Sequence, residues 1–149
     1  MISKILVATD GSKVAWKSVE YAVELSEQTD ATITLLYVIE KNFIIASSVS
    51  DVDAPTHLIE PVEDYLRQVG EACLQKAENF CKDRGISPQK IIRSGHPVEE
   101  IIREAEKSKV DLIVLGSHGK SALKAAFIGS VAFGVVHENI RIPVLIVRR

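Results

Sequence analysis

The segment Gly116-Ser117-His118-Gly119-Lys120-Ser121 is followed, nine intervening residues after Gly119, by Gly129-Ser130, a spacing of G-x2-G-x9-G-S. Glycine has no Cβ, so backbone amides beside it can approach an anion with no side chain in the way. That geometry suits phosphate oxygens. Gly129-Ser130 opens a helical pattern, and the unpaired N–H groups and positive dipole end of a helix start favour a second phosphate contact, with the Ser130 hydroxyl as donor or cap. Lys120 and Ser121 add charge and hydrogen bonds. A second place for chemistry is Ala8-Thr9-Asp10-Gly11-Ser12. A carboxylate at Asp10 can hydrogen-bond a ribose hydroxyl or hold a Mg²⁺ ion that bridges phosphates. Purely structural roles compete at both places: turn glycines, Ser130 as an N-cap, and Asp10 or Ser12 as the cap of the first helix.

Other chemistries lack their residues. Gly119-Lys120-Ser121 ends like a Walker A sequence, but that pattern needs glycine at 114, where Val114 stands. No G-x-G-x-x-G follows the first strand, which weighs against an ordinary NAD site. His57, His96, His118 and His137 have none of the spacings of a zinc site, and only His118 is placed to make a polar contact in the glycine loop. There is no nucleophile elbow and no general base with an orienting partner, so a fast catalyst is not indicated. Cys73 and Cys81 fall eight residues apart on a helical pattern, roughly 12 Å along the axis, too far to bridge. Both read as buried thiols acting as small hydrophobes.

The elements that must position these residues follow from periodicity. Runs at Ile5 to Thr9, Ala31 to Ile39, Lys90 to Arg93, Leu112 to Leu115 and Val144 to Val147 read as buried strands. Between them, Ala15, Val19, Ala22 and Val23 recur at helical spacing, as do Val62, Leu66, Val69, Cys73, Ala77 and Phe80. Val98, Ile101, Ile102 and Ala105 repeat the pattern after Pro97, and Val131, Ala132, Val135 and Val136 repeat it again. The string βαβαβαβαβ predicts an α/β fold, a three-layer α/β/α sandwich around an open parallel five-stranded sheet. Two strand orders are common for such a sheet, 3-2-1-4-5 and 2-1-3-4-5, and each has a switch point where ligands bind beyond the strand carboxyl ends. The stretch from about 40 to 60 has no convincing period. Its serines, aspartates and Pro55 mark a loop, either covering a ligand or partner surface or simply an excursion.

A length of 149 residues predicts one domain, 1–149, and 46% hydrophobic against 26% charged residues predicts a folded one. Aromatics make up only 5%, leaving Val, Ile, Leu and Ala to fill the core, as buried parallel strands require. A net charge of −2 supplies no basic field for a polynucleotide. The longest stretch free of charge and His, Ala125 to Val136, is too short to span a membrane. The first residues lack the pattern of a signal peptide, so the expected location is cytoplasmic.

The opening strand with Asp10, the second strand's Leu35-Leu36-Tyr37-Val38, and the run from Asp111 through Gly116-Ser117-His118-Gly119 and Gly129-Ser130 to Pro143 through Val147 resemble the ATP-binding branch of the universal stress protein family. The resemblance spans the chain apart from the 40 to 60 loop. It implies the order 3-2-1-4-5, an adenine contact at the Val38 backbone with Ala8 lining the pocket beside Thr9, and a ribose met by Asp10 and Gly116. It also implies phosphates surrounded by Ser117, His118, Gly119, Lys120, Ser121 and Ala122, together with Gly129, Ser130, Val131 and Ala132, largely through main-chain N–H groups. Ala8 departs from similar members that carry Pro there. The expected ligand is ATP with Mg²⁺ or Mn²⁺, AMP or ADP remaining open, with Asp10 second to the phosphates as a metal ligand. A homodimer through Pro143 to Val147 is implied too, and it would cover an otherwise exposed strand edge.

The function that follows is a cytoplasmic ATP-binding stress-response factor or nucleotide-dependent switch acting on an unknown downstream protein. The alternative is a slow ATPase or a phosphoryl- or nucleotidyl-transfer enzyme using the same pocket. A receiver domain would need an aspartate and a lysine where Arg93-Ser94 and Arg148 stand, and flavin binding would need an aromatic beside the glycine loop.

Overall fold

A computed structural model describes residues 1–40, 59–120 and 128–148. Five strands, β1 (Lys4–Ala8), β2 (Thr32–Glu40), β3 (Gln89–Gly95), β4 (Leu112–Gly116) and β5 (Val144–Val147), form one parallel sheet in the order β3-β2-β1-β4-β5. Of the two orders the periodicity left open, the sheet takes 3-2-1-4-5. The described helices are α1 (Lys13–Thr29), α2 (Ile59–Lys82), α3 (Pro97–Lys107) and α4 (Ser130–His137). The expected 40 to 60 loop lies mostly outside the described residues: Glu40 closes β2, and residues 59 and 60 already belong to α2.

Strand alternation divides the core in two. Ile5, Val7, Ile33, Leu35, Tyr37, Ile39, Leu112 and Val114 face one layer, where they pack with Val19, Ala22 and Val23 of α1 and Leu74, Ala77 and Cys81 of α2. Leu6, Leu36, Ile113 and Leu115 face the other, with Val98, Ile101 and Ala105 of α3 and Val135 of α4. Burial is complete at Ile5, Leu6 and Val7 of β1 and falls toward the rims, where no residue of β5 is fully buried.

Local chemistry sets the helix ends. The Ser12 hydroxyl caps α1, accepting the Ala15 N–H at 3.2 Å, and Asp30 stops it in the left-handed conformation at φ +57°. Pro97 opens α3 behind His96, a position where its missing N–H costs no hydrogen bond.

The stripe of α2 is shifted from the expected one. Val62, Leu66, Val69, Cys73 and Phe80 are only half-buried, and the line in closest contact runs Gly70, Leu74, Ala77, Cys81. Gly70 is the reason: a Cβ there would fall 2.7 Å from Cδ1 of Tyr37, so the helix seats on the sheet along the side that lacks a side chain. One consequence is a correction for the cysteines. Cys81 is fully buried, and burial, helped by the Glu78 charge, pushes its thiol up to about 11; Cys73 is only half-buried and sits beside the β1 turn.

Candidate functional site

β1 and β4 are neighbours whose connections leave in opposite directions, which opens a crevice beyond their carboxyl ends. Asp10 spans it. Its Oδ1 accepts the Ser12 N–H at 2.9 Å, and its Oδ2 accepts the Lys120 N–H at 2.8 Å. Ser12 is therefore the cap of α1, and Asp10 is a strut between the β1 turn and the β4 loop.

The glycines make this junction possible. A Cβ at Gly119 would lie 2.6 Å from Asp10 Oδ2, closer than any side chain could sit. One at Gly129 would lie 3.1 Å from both the Ser117 oxygen and His118 Cα, and the Gly129 N–H donates to that same Ser117 oxygen. Gly119 and Gly129 thus first allow chain to approach chain, and the crevice takes its shape from that approach.

A cavity of about 510 Å³ fills the crevice. Ala8, Thr9, Asp10 and Val38 line it from β1 and β2; Gly116, His118, Gly119 and Lys120 from β4 and its loop; and Gly129, Ser130, Val131 and Ala132 from the start of α4. Ser117 stands behind the wall, buried, its N–H donated to Val147 O at 2.8 Å and its Oγ 2.9 Å from His118 Nδ1. Ser121 and Ala122 lie outside the described residues.

Several lining residues escaped the sequence reading. Tyr37, Ile39 and Glu40 extend the β2 wall, Tyr65, Leu66 and Val69 of α2 form another, and Ile101 and Leu115 close the side of α3. The alternation of β2 and the helical stripe of residues 62–80 carried a signal for them, but as core rather than as lining.

The amides differ in their availability. Those of Ser117, Lys120 and Gly129 are engaged by Val147 O, Asp10 Oδ2 and Ser117 O. Gly129 is the N-cap of α4 and provides no side-chain cap, and the first α4 amide with a helical acceptor is that of Phe133, to Gly129 O at 2.9 Å. Among the described residues the N–H groups of Ser130, Val131 and Ala132 therefore have no acceptor, and their residues line the cavity at the positive end of the helix.

Polar side chains collect on the opposite wall. Thr9 Oγ1 lies 3.9 Å from Cys73 Sγ and accepts the Gly11 N–H at 3.2 Å. Burial raises the Cys73 thiol above its ordinary range, against the lowering influence of the Thr9 hydroxyl and the Lys120 charge. Burial likewise raises the Tyr37 phenol, with Cys73, Asp10 and Glu40 adding to the effect. Among the described residues no group of three or more His, Cys, Asp or Glu side chains could hold a metal ion. No helix among them is long and apolar enough to cross a membrane.

The sheet order and the lined switch point define a doubly wound α/β protein with a small-molecule pocket. The chain belongs to the universal stress protein family, whose pattern it matches over residues 1–148. It is 34% identical to universal stress protein YxiE of Bacillus subtilis, covering 99% of this chain and 100% of that one. It is also 34% identical to universal stress protein MJ0577 of Methanocaldococcus jannaschii over 100% and 96% of the two chains. A solved structure of MJ0577 superposes with a TM-score of 0.86 at 30% identity, covering 100% of this chain and 97% of that one. The fold is shared with an Arabidopsis thaliana universal stress protein family protein solved with AMP bound, at a TM-score of 0.66, 22% identity and coverage of 99% and 92%.

Proposed function

We propose that this chain, as one domain, binds an adenine nucleotide in the switch-point cavity, ATP foremost, and acts in the cytoplasm as a homodimeric nucleotide-dependent switch in a stress response. The observation that carries the reading is the first turn of α4: among the described residues its three leading amides have no acceptor, and they stand at a positive helix end on a cavity that also has an apolar stretch at Ala8, Ile101 and Leu115. Phosphates belong on those amides. The base belongs on the apolar side, against Ala8, Ile101, Leu115 and the Val38 backbone. The ribose then falls between them, at Asp10 and Gly116. Engagement of AMP by a relative of the same fold supports this assignment.

Asp10 already accepts two backbone N–H groups, so a Mg²⁺ or Mn²⁺ ion would be held chiefly by the phosphates, with Asp10 the nearest carboxylate. The Lys120 N–H reaches a phosphate only by leaving Asp10. Two free thiols, one of them fully buried, suit a reducing compartment.

Ser130→Pro is the sharpest test. Proline is tolerated at the first helical position, and the extended conformation of Gly129, φ −75° and ψ 164°, is the one a residue before proline prefers. The change removes one N–H donor and leaves the helix start intact. Titration calorimetry should show ATP binding to the wild type, weakened about tenfold or more in the variant, the worth of one hydrogen bond to a charged group. Equal affinity in both overturns the phosphate assignment, and a wild type without affinity for ATP, ADP or AMP overturns the nucleotide reading.

A further inference from the structure

The cavity wraps around the carboxyl edge of the sheet. Leu36 and Val38 face the α3/α4 layer, Tyr37 and Ile39 face the α1/α2 layer, and all four line it. The nucleotide reading occupies the α3/α4 side and the loops. It leaves the part of the same cavity that lies under α2, a lobe lined by Ile39, Tyr65, Leu66 and Val69.

This lobe has a polar inner end. Tyr37 is only 7% exposed, yet its hydroxyl takes part in no hydrogen bond among the described residues, a costly state for a buried polar group unless it faces the cavity it lines. Lys120 is exposed and makes no ion pair among the described residues, and its Nζ lies on the same side: it is 3.5 Å from the Cβ position of Gly11, while Cys73 Sγ lies 3.6 Å from that point. The nearby Asp10 carboxylate is already compensated by two N–H donors.

We propose that this lobe is a second small-molecule site, for an amphipathic monoanion: a flat apolar body against Tyr65, Leu66, Val69 and Ile39, with a carboxylate head between the Tyr37 hydroxyl and the Lys120 ammonium. Glu40 at the rim and Asp10 both act against negative charge beside Tyr37, so the Lys120 ammonium must offset them for the single carboxylate and a dianion is disfavoured. The site rests on the nucleotide reading only in that the nucleotide is assigned to the other side of the edge.

The probe is 2-naphthoate, titrated into the full chain with and without saturating ATP, beside the neutral 2-naphthalenemethanol. Naphthoate should bind one per chain in the presence of ATP, at least fivefold tighter than the alcohol. Affinity should fall about tenfold in Tyr37→Phe, which removes a hydrogen bond to a charged group. Val69→Trp, which fills the lobe, should abolish it. Absence of naphthoate binding, one-for-one displacement by ATP, parity with the alcohol, or unchanged affinity in Tyr37→Phe each overturns the second site. Naphthoate binding by a chain that binds no nucleotide would sink the nucleotide reading and leave this one standing.

Discussion

Asp10 shows how one side chain can organise a site without being its chemistry. Both carboxylate oxygens are spent on backbone N–H groups, so what it offers a ligand is position and residual charge. Asp111 does similar work at the opposite end of the sheet. Its Oδ2 accepts the Ser3 N–H at 2.9 Å, the Ser3 hydroxyl at 2.8 Å and the Lys4 N–H at 2.9 Å, tying the start of β1 to the start of β4. These donors, the Ser3 N–H foremost, hold its carboxyl below the ordinary 3.8. A depressed folded value means that the stabilisation is present above the unfolded value and is lost as the pH falls through the folded one. Asp111→Asn should therefore lower the denaturation midpoint by a constant amount from pH 5 to pH 7, with the gap to wild type closing on acidification below about 4. A gap that persists in acid would show that the carboxylate charge is not what ties the strands.

At the scale of elements, α2 carries the clearest stability prediction. Alanine is favoured over glycine in a helix by about 1 kcal/mol, which taken alone would make Gly70→Ala stabilising. Against that stands a Cβ placed 2.7 Å from a buried tyrosine ring, and overpacking of a core costs about 1–3 kcal/mol. The second effect should win, with net destabilisation of up to about 2 kcal/mol by urea titration; a stabilised variant would mean that α2 does not seat on Tyr37. The same contact explains what was and was not legible in the sequence. Strand periods and the stripe of α1 read through directly, because Ala15, Val19, Ala22 and Val23 are all buried. The α2 stripe holds at Ala77 and is off by one residue at Val69, Cys73 and Phe80, because a hydrophobic pattern counts side chains and the closest line contains a glycine. In the site, the glycine loops and Asp10 were legible as spacing. Tyr37 and Val69 were not, because the period that places them in the cavity is the same period that places a residue in the core, and Tyr65 falls off the helical stripe altogether.

For the whole molecule, the two rims of the sheet differ in what they leave open. The carbonyls of Pro143 and Val147 accept the N–H groups of Ile113 in β4 and of Ser117 just past it, so by the two-residue period of a strand the backbone groups of Val144 and Ile146 point outward. Phe133 and Val136 of α4 are more than half exposed on the same layer as Val144 and Ile146. The proposed homodimer uses this edge. Ile146→Pro removes an outward N–H and no bond to β4, so sedimentation should show a monomer with a native far-ultraviolet spectrum; a variant that still dimerises would place the interface elsewhere. The gradient of burial across the sheet, complete at the centre of β1 and partial at β5, also ranks the parts of the pocket by how readily they open. Its floor, at the ends of β1 and β4, belongs to the last segment to exchange its amide hydrogens. Its walls, the stretch of α2 from Tyr65 to Val69 and the first turn of α4, have few fully buried side chains and open far more cheaply. A bound molecule would thus leave the floor as it is and slow exchange in the walls, so occupancy is written into the local stability of two helices on opposite faces of the sheet.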